Sequence, residues 1–471
     1  MYHSPVTIYA AAADLKYDSI FFGEQKELST IEKRFRLPLC CLSLMVLLFS
    51  FGNSAASGAG ITKDAKLTDP EFWISVAKDS DKVILTGEQI RAFNLEIAGK
   101  SPSIQDLQIL PDTNDGEVLR QKVSDVSVLN SKLYRGGILF SDEERALLKK
   151  ELNLRVLSGF IPIRYGITVG RTDLRTLPMS EGLFDTADDV FFDNLQETAV
   201  DPGEPLIILY ASGSGKFFYV QMYNYRGWIK AEDTAVTDRT KWLDYVLPQK
   251  FLVVTARNLF VHSEGEDVLY QMGSRMLIKA KYSNAFIVLI PRRRADGTFF
   301  EDKQFIFVNN DNVNEGFLPY TRANLIRQSF KFYGACYGWG GLMESEDCSG
   351  LVNDVYRVFG IFLPRNSGQQ AKTAGVSTSF EGLSYSQRDA LISEAVSAGD
   401  VLFMKGHVMI YLGRNNGVHY AIHSLGSHTI HYSDGRKEKQ RIMKIIVSDL
   451  SLKTWAGLEH INAFTNSISF R

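Results

Sequence analysis

The sequence predicts a multidomain α+β protein in which a mostly helical region and two small β-barrels precede a C-terminal domain of mixed helices and strands. Three observations support this prediction. Capped helix-forming stretches occupy residues 62–155, and short apolar runs split by Gly, Asp and Asn follow over residues 160–320, as is typical of strands. From residue 322 onward, a Gly-rich loop leads into a helical pattern and then into further strands.

The composition is that of an ordinary globular protein. Of the 471 residues, 45% are hydrophobic and 23% are charged, and the formal net charge is -2. A basic triplet at 292–294 is followed by Ala-Asp-Gly, which is a hairpin-turn signal. We therefore interpret the triplet as the solvated edge of a hairpin, and we expect no nucleic-acid partner. The composition does not indicate an oligomeric state.

Residues 1–57 are predicted to be an extended start followed by a secretory signal peptide. Basic residues within 33–36 precede a mostly apolar run at 37–51, and small residues at 54–56 offer a cleavage site. The run is shorter than the roughly 20 residues that a membrane-spanning helix needs. We therefore expect an exported protein, periplasmic or extracellular, with a membrane tether through an uncleaved signal as the alternative.

Residues 62–155 are predicted to form a mostly helical N-terminal domain. Asp69 precedes Pro70 at one predicted helix start, Thr86 opens a second helix, and Ser141 begins a third with acidic residues in its first turn. Asp, Thr and Ser are preferred at helix starts because their side chains accept hydrogen bonds from free backbone N–H groups. The region contains no group of residues that suggests chemistry.

Residues 160–240 and 250–320 are predicted to form two β-barrels. Their apolar runs are short and regularly spaced, as in small all-β domains. Trp228 lies in one of these runs and is expected in a barrel core, with a peptide-binding surface as the alternative. Tyr223 and Tyr225 precede it in a predicted turn, where exposed tyrosines would be candidates for lining a substrate cleft.

Cys348 is the candidate nucleophile. A Gly-rich loop at 337–341 leads towards it, and apolar residues recur after it at steps of three and four over 351–359. Asp347 is a predicted N-cap, which places Cys348 in the first turn of a helix. Backbone N–H groups and the helix dipole favour negative charge at that position, so the sequence predicts a favoured thiolate.

The other cysteines have no predicted chemistry. Cys40 and Cys41 lie in the predicted signal, so the mature chain would keep only Cys336 and Cys348 and no disulfide framework. We expect Cys336 to be a small packed residue, with a second reactive thiol as the alternative. No cysteine–histidine spacing suggests a zinc site, so no metal is expected.

His407 is the candidate general base. It begins one predicted strand, and a second strand runs from 418 to 424 after a turn. A four-residue loop would pair position 407 with 424, and a three-residue loop would pair it with 423. Either register places His423 beside His407, and places His419 near Tyr411 instead. The sequence therefore predicts a Cys-His-His version of the nucleophile, base and orienter triad.

Successive blocks of the C-terminal region resemble those of the NlpC/P60 cysteine peptidases. The blocks are Tyr-Gly-Trp-Gly-Gly at 337–341, Asp-Cys-Ser-Gly at 347–350, Leu-Pro-Arg at 363–365 with Gln369, Gly-Asp-Val-Leu-Phe at 399–403, Gly-His-Val-Met-Ile-Tyr at 406–411 and Ile-His-Ser at 422–424. The resemblance implies a papain-like fold for residues 322–471, with Cys348 as nucleophile, His407 as base and His423 as the third member. It also implies that Tyr337 hydrogen-bonds near the nucleophile.

Weaker matches extend the resemblance towards the N-terminus. Residues 62–155 resemble the stabilising domain of multidomain family members. Thr-Asp-Leu-Arg at 172–175 and Gly-Trp-Ile at 227–229 resemble parts of bacterial SH3-type domains. The predicted barrels at 160–240 and 250–320 are therefore expected to be SH3-like.

The resemblance also implies a function, which is hydrolysis of the amide bond from γ-D-glutamate to the diamino acid in peptidoglycan stem peptides. No metal or organic cofactor is needed for this reaction. The candidate substrate-binding residues are Asp347, Ser349, Tyr223 and Tyr225. Asp347 is either a helix cap alone or also a ligand, with one of the tyrosines, for the free amine of a stem peptide.

Three questions stay open at this point. The chain could be an inactive binding module for cell-wall peptides, or an amidase or acyltransferase on the same fold. The diamino acid could be diaminopimelate or lysine. The substrate could be the intact sacculus or a soluble fragment of it.

Overall fold

A computed structural model describes residues 60–307 and 311–471, which belong to one compact unit. The predicted extended start and signal peptide at 1–57 lie outside the described residues. Across these two described ranges, no helix combines the length and the apolar character that a membrane crossing requires.

The N-terminal region contains four helices and three short strands. These are α1 (Pro70–Val76), α2 (Gly87–Lys100), β1 (Thr113–Asp115), α3 (Gly116–Val123), β2 (Tyr134–Arg135), β3 (Ile138–Leu139) and α4 (Asp142–Glu151). The predicted helix starts are confirmed. Asp69 caps α1, whereas Thr86 and Ser141 form capping boxes at the starts of α2 and α4.

These four helices pack into two different cores. Trp73 of α1 and Phe93 of α2 are buried with the C-terminal domain, and the Trp73 ring lies 5.4 Å from the ring of Tyr420. Leu119 of α3 and Leu148 of α4 are buried with the β-rich region instead. The helices therefore share no core of their own, and a separate helical domain stays a prediction.

The first β-rich region contains β4 (Phe160–Pro162), β5 (Arg164–Thr168), β6 (Thr172–Arg175), β7 (Gln196–Val200), β8 (Pro205–Ala211), β9 (Phe217–Gln221), β10 (Arg226–Lys230) and β11 (Thr234–Thr237), followed by helix α5 (Arg239–Val246). Seven strands form an antiparallel sheet in the order β11-β5-β8-β9-β10-β6-β7. The Trp228 ring lies 5.2 Å from the rings of both Tyr210 and Tyr219 and is 1% exposed. Its predicted place in the core is therefore confirmed, and a peptide-binding surface there is excluded.

The second β-rich region contains β12 (Phe251–Val254), β13 (Asn258–Ser263), β14 (Glu266–Gln271), β15 (Arg275–Lys281), β16 (Ala285–Arg293), β17 (Phe299–Phe307) and β18 (Val313–Glu315). Five of these strands form a sheet in the order β17-β16-β15-β12-β18, and β13 pairs with β14. Arg293 pairs with Phe299, which confirms the predicted hairpin at the basic triplet. As far as the chain is described, both sheets are open, so the two predicted closed barrels are not confirmed.

The C-terminal region contains α6 (Arg322–Phe330), α7 (Cys348–Arg357), α8 (Ser367–Gln370), β19 (Val376–Ser379), α9 (Tyr385–Ala395), β20 (Val401–Met404), β21 (His407–Asn415), β22 (Val418–His431), β23 (Lys437–Asp449), α10 (His460–Ala463) and β24 (Phe464–Ser469). The six strands form one sheet in the order β19-β24-β20-β21-β22-β23. Helix α7 packs against β21 and β22 because Leu351, Val352 and Val355 form an apolar stripe that is fully buried. This packing brings the start of α7 to the sheet.

The turn between β21 and β22 is shorter than the three or four residues that we expected. Asn415 pairs with Val418, so Asn416 and Gly417 alone form the turn, with φ angles of 50° and 82°. An Asn-Gly pair favours this two-residue turn, whose left-handed backbone matches the twist of the strands. The ladder then shifts register at a bulge around Leu412.

The observed register corrects the predicted pairing of the histidines. His419 pairs with Arg414, nearer to the turn than we expected. The same ladder, continued past Ile410, places His423 diagonal to His407 instead of directly opposite it. Diagonal residues on one face of a sheet are still close enough for long side chains to touch, so His423 remains the neighbour of His407.

Candidate active site

Asp347 and Cys348 form the start of helix α7, as predicted. The Asp347 carboxylate accepts hydrogen bonds from the backbone N–H groups of Ser349 (3.0 Å) and Gly350 (2.8 Å), which is N-cap geometry. The Gly340 N–H also donates to this carboxylate (3.0 Å). The Gly-rich loop and the helix start are thereby held to one another, and Cys348 stands at the first helical position.

The Cys348 thiol is partly exposed and lines a cavity of about 390 Å³. Its surroundings favour the neutral form. Burial, and then the negative charge of Asp347, raise the pKa of Cys348 to about 12, against hydrogen bonding from the backbone of Val408 and Ser349. The predicted favoured thiolate is therefore wrong. The N-cap that positions the cysteine is itself an anion, and it opposes the helix dipole at the same place.

His407 lines the same cavity at the start of β21. Its Nε2 lies 2.7 Å from Nδ1 of His423, whose Nε2 lies 2.9 Å from the Ser448 hydroxyl. Burial lowers the pKa of His407 to about 4, although the charge of Asp347 acts in the opposite direction. Burial also lowers the pKa of His423 well below its usual value. Both imidazoles are therefore neutral at pH 7.

The hydrogen-bond chain allows a tautomer of His407 that can act as a base. If His407 donates its Nε2 proton to Nδ1 of His423, then His423 can donate its own Nε2 proton to Ser448. Each imidazole then carries one proton, as a neutral ring must. Nδ1 of His407 is left without a proton and is free to accept one, which is what a general base requires.

His460, at the start of α10, is a third histidine in this cluster and was not found from the sequence. Its ring centre lies 6.1 Å from the ring centres of both His407 and His423, and it is 2% exposed. Burial lowers the pKa of His460 to about 3. Its Nδ1 is buried and has no hydrogen-bond partner in the described part of the chain. Nothing in the local sequence around it signals this position, because the fold of the sheet brings it there.

The described ranges contain no group of three or more His, Cys, Asp or Glu side chains placed to hold a metal ion.

Tyr337 lines the cavity that contains Cys348, and its hydrogen bond near the nucleophile stays a prediction. Its ring is 7% exposed and lies 6.0 Å from that of Phe192, so the first β-rich region helps to position it. Burial and the neighbouring acidic groups raise the pKa of Tyr337 far above its usual value. Its hydroxyl therefore keeps its proton and can act as a hydrogen-bond donor.

Asp347 and Ser349, two predicted substrate-binding residues, are already engaged with Arg365. The guanidinium donates to both carboxylate oxygens of Asp347 (3.1 and 2.6 Å) and to the Ser349 hydroxyl (2.9 Å). Burial alone would raise the pKa of Asp347, but the charge and hydrogen bonds of Arg365 hold it below its usual value. Asp347 is therefore a buried ion-pair partner as well as a cap, and its role in binding an amine stays a prediction.

Tyr223 and Tyr225 lie in the predicted turn, between β9 and β10, but neither is exposed. Tyr223 packs edge-on against Phe362, with ring centres 5.5 Å apart, and does not line the cavity that contains Cys348. Tyr225 donates a hydrogen bond to Glu197 and lines a second cavity of about 420 Å³ together with Glu197 and Asn366. The structure thus makes Tyr225, and not Tyr223, available to a ligand, and it adds Glu197, which sequence analysis missed.

A buried cluster of charges joins the first sheet to the catalytic loop. Arg171 bonds to Asp201 (2.6 Å) and to Glu346 (3.3 Å), the residue before the helix cap. Burial raises the pKa of Glu346 to about 7, against the charge of Arg171. The Gln196 side chain also donates to the Gly340 carbonyl (2.9 Å). The loop that precedes the cysteine is therefore held by residues far away in the sequence.

Of the histidines at 419, 428 and 431, His428 alone lines the cavity. His419 bonds to the Tyr411 hydroxyl (2.8 Å) and to Asp389 (3.2 Å), away from the cavity. His428 and His431 lie on β22 itself and not beyond the hairpin, because that strand is longer than predicted. His428 lines the cavity, whereas His431 bonds to the Thr454 carbonyl.

The exposure of Cys336 also differs from the prediction. We expected a small packed residue, but its side chain is exposed. The backbone around it pairs with Lys444 of β23, which leaves the thiol at the surface.

Comparison with known proteins agrees with this geometry. Residues 334–446 match the NlpC/P60 family, and residues 182–230 match the SH3 domain (SH3b1 type). Two curated relatives match part of the chain. A γ-D-glutamyl-L-lysine dipeptidyl-peptidase of Bacillus cereus is 31% identical over 157 residues, which cover 31% of this chain and 41% of that protein. "Probable endopeptidase p60" of Listeria welshimeri is 32% identical over 116 residues, which cover 22% of this chain and 20% of that protein. The match thus spans less than half the length of either relative.

A solved structure has the same fold over most of the chain. It is an NlpC/P60 endopeptidase from Photobacterium damselae subsp. piscicida, which is 18% identical to this chain with a TM-score of 0.71. The match covers 88% of this chain and 98% of that one. The sequence blocks, the family match over residues 334–446 and the site at the start of α7 agree, and they show that the C-terminal region is similar to the NlpC/P60 family and that residues 182–230 are similar to an SH3b domain.

Proposed function

We propose that this protein is a cell-wall peptidase that hydrolyses the amide bond between γ-D-glutamate and the diamino acid of peptidoglycan stem peptides. The observation that supports this best is a single cavity lined by Cys348 and His407, with His423 hydrogen-bonded behind His407. The name of the Bacillus cereus relative supports the choice of bond, and the SH3b domain supports a peptidoglycan substrate.

The proposed reaction begins with a neutral pair of side chains. Nδ1 of His407 takes the proton of Cys348 as the sulfur attacks the amide carbonyl. The resulting imidazolium is stabilised by its bond to His423, and it gives the proton to the departing amine of the diamino acid. A water molecule, activated by the neutral His407, then attacks the thioester and releases the γ-D-glutamyl product and the thiol.

The developing oxyanion needs donors of hydrogen bonds that are already in place. The backbone N–H of Cys348 lies at the first position of α7, where it has no intrahelical acceptor. The protonated hydroxyl of Tyr337 lines the same cavity. We assign the oxyanion to these two donors, which makes Tyr337 a catalytic residue.

We further propose that the free amine of the stem peptide is bound on the far side of the Asp347–Arg365 pair. Glu197 and Tyr225 line the second cavity there, and Glu197 offers a carboxylate for the amine. The Asp347 carboxylate, which is already paired with Arg365, would contribute its negative charge to binding of the amine. Acetylation of the substrate amine is then expected to lower kcat/KM by about tenfold or more, because the acid would be left without its partner. Equal cleavage of free and acetylated peptides would remove this role.

The location follows from the same proposal. Intact peptidoglycan lies outside the cytoplasm, so we expect an exported protein, periplasmic or extracellular, as the apolar run at 37–51 also predicts. Fractionation of cells that express the full chain, with detection by antibody, tests this. Retention in the cytoplasm would contradict it.

The test of the reaction is incubation with sacculi and with short stem peptides in parallel, followed by mass spectrometry for a newly freed diamino acid amine. We expect Cys348→Ala to lose activity by several orders of magnitude, as does loss of a nucleophile in other enzymes, with an unchanged circular dichroism spectrum. Cys336→Ala is the matched control, because that thiol is exposed and outside the cavity. Near-normal turnover by Cys348→Ala would rule out the cysteine peptidase mechanism.

A further inference from the structure

His460 lines the cavity that contains Cys348 but takes no part in the proposed attack by the thiol. Its side chain is 2% exposed, and its ring centre lies 6.1 Å from that of His407. Burial, and then the charges of His407 and His428, lower the pKa of His460 to about 3, so the ring is neutral at pH 7. A neutral imidazole beside the general base can form hydrogen bonds without adding charge to the cavity.

Three histidines line this cavity, and two of them have hydrogen-bond partners within the protein. Nε2 of His407 is bonded to His423 (2.7 Å), and Nε2 of His428 lies 2.7 Å from the side-chain oxygen of Gln440. The His460 ring forms no hydrogen bond to any of the described residues, and its Nδ1 is buried. A polar ring buried without partners is costly to a fold. The His460 ring therefore retains its full hydrogen-bonding capacity for a molecule in the cavity.

Backbone hydrogen bonds hold His460 at a fixed place in the cavity wall. Its N–H donates to the carbonyl of Leu452 (2.8 Å), and the N–H of the next residue, Ile461, donates to that of Leu450 (3.1 Å). Both bonds tie the start of α10 to the chain just after β23. A side chain on a backbone anchored in this way can hold a small molecule in one orientation, which is what positioning of a reactant requires.

The spacing between the rings leaves room for a small polar molecule. The rings of His407 and His423 have centres 5.0 Å apart, and a direct hydrogen bond joins them. The rings of His407 and His460 are farther apart, at 6.1 Å, and no direct hydrogen bond joins them. One water molecule can bond to both rings over such a distance, since each of its hydrogen bonds spans about 2.8 Å.

The proposed reaction needs a water molecule at this place. After acylation the amine leaves from beside His407, and the γ-D-glutamyl group stays on the sulfur of Cys348 as a thioester. The water that hydrolyses the thioester must then stand beside His407, because His407 takes its proton. His460 lies in the wall of the same cavity.

We propose that His460 binds the water that hydrolyses the thioester, which makes it a catalytic residue of the deacylation step. As the water oxygen attacks the acyl carbon, one water proton moves to Nδ1 of His407, and the other hydrogen is donated in a hydrogen bond to the His460 ring. The carbon–sulfur bond then breaks, and His407 returns the proton to the sulfur of Cys348. The products are the free γ-carboxyl group of D-glutamate and the thiol. This inference rests on the proposed function and adds a residue to it.

The test separates acylation from deacylation with the 4-nitrophenyl γ-ester of L-alanyl-D-glutamate. Because 4-nitrophenolate leaves readily, its release in the first turnover reports acylation of Cys348, and its later steady release reports hydrolysis of the thioester. For His460→Leu we expect a burst rate constant within about twofold of wild type and a steady rate lower by about tenfold or more, because a positioned reactant contributes at least such a factor. Mass spectrometry should then show acyl-enzyme accumulating at Cys348.

Three further variants complete the test. His460→Phe keeps an aromatic ring without nitrogen, so it should lose the steady rate as the leucine variant does. His460→Gln keeps a polar group at a similar reach and should recover part of the loss. His431→Leu is the matched control, because His431 is half-buried and does not line the cavity, and it should keep both rates. Circular dichroism checks the fold of each variant.

The outcomes separate the two proposals. A steady rate within about twofold of wild type in His460→Leu or His460→Phe, or a burst that slows as much as the steady rate, would overturn the role of His460 and leave the peptidase function in place. Wild-type protein that gives neither a burst nor an acyl-enzyme would overturn the peptidase function and the role of His460 together.

Discussion

Cys348 and His407 meet as an uncharged pair, and this has a consequence for pH dependence. The pKa of His407 is about 4 and that of Cys348 about 12, so the reactive form, neutral imidazole with thiol, persists between these values. We expect kcat/KM to rise with pH as His407 loses its proton near pH 4 and then to stay level through pH 9. A thiolate–imidazolium pair would instead lose activity above about pH 8 as its imidazolium deprotonates.

The rate of alkylation reports how much of Cys348 is present as the thiolate. Because only the thiolate reacts, the rate of iodoacetamide modification at Cys348 should rise about tenfold per pH unit up to pH 10, without a plateau. The measurement uses Cys336→Ala protein and follows the Cys348 peptide by mass spectrometry, so that neither the exposed thiol nor Cys40 and Cys41 contribute. A plateau below pH 7 would mean that the thiolate is favoured after all.

Substitution of single histidines should separate catalysis from stability. We expect His407→Ala to be as damaging to kcat as loss of Cys348, and His423→Ala to be severe but milder, because it removes only the orienting bond. His419→Ala should keep nearly normal kcat while lowering the free energy of unfolding by about 1–3 kcal/mol, since it leaves the buried Tyr411 hydroxyl unpaired.

Kinetics and urea denaturation of the same three variants measure both quantities. An inactive His419→Ala alongside an active His423→Ala would mean that the orienting residue has been assigned wrongly.

How much of the site the sequence predicts depends on the distance between the residues along the chain. The Asp347 cap and the position of Cys348 are local, and both are confirmed. Strand pairing predicts that His407 and His423 lie close together, which is correct, although the predicted register of the two strands was wrong. The position of His460 depends on how the sheet turns back after β23, and the thiol pKa depends on the charge and burial of groups that only the fold brings together.

At the level of elements, the start of α7 should be unusually sensitive to substitution. Loss of a helix cap costs about 1 kcal/mol. Asp347→Ala also leaves the buried Arg365 without its partner, so we expect a loss of about 3–5 kcal/mol in the free energy of unfolding. Asp115→Ala, which removes an exposed N-cap from α3, is the matched control and should cost only about 1 kcal/mol.

Urea denaturation measures both variants. Adding Arg365→Met to Asp347→Ala should recover part of the loss, because the unpaired charge is then gone. Equal losses for the two aspartates would show that the ion pair adds nothing beyond the cap.

The helix starts were predicted better than the turn between β21 and β22 and the closure of the sheets. Helix starts carry short-range capping signals, and those at Thr86 and Ser141 are confirmed. The Asn416-Gly417 pair also carried a signal for a two-residue turn, but the polar residues before it suggested a longer loop. Whether a sheet closes into a barrel depends on pairing between its first and last strands, for which no local pattern exists.

At the level of the whole molecule, Arg171 joins the first antiparallel sheet to the loop before Cys348. Arg171→Met leaves Asp201 and Glu346 buried without their cation, and we expect it to lower the free energy of unfolding by about 3–5 kcal/mol. Arg327→Met breaks the exposed pair with Glu71 and should cost less than about 1 kcal/mol.

Thermal and urea unfolding of both variants, followed by tryptophan fluorescence, test this. Glu346→Gln in the Arg171→Met background should restore part of the stability, because it removes one of the stranded charges. A similar small loss for both arginine variants would mean that this cluster does not hold the first sheet to the loop before Cys348.

The burial of Phe93 and Phe470 in one core bears on how the protein is made. Their ring centres lie 6.5 Å apart, and the Phe470 ring lies 4.8 Å from that of Tyr356 in α7. Contacts between such distant parts of a chain form late in folding. While the ribosome is still synthesising the middle of the chain, α2 has no surface to cover. The core beneath Cys348 is completed only after the segment with Phe470 has emerged, so the nascent chain has no finished cavity around Cys348.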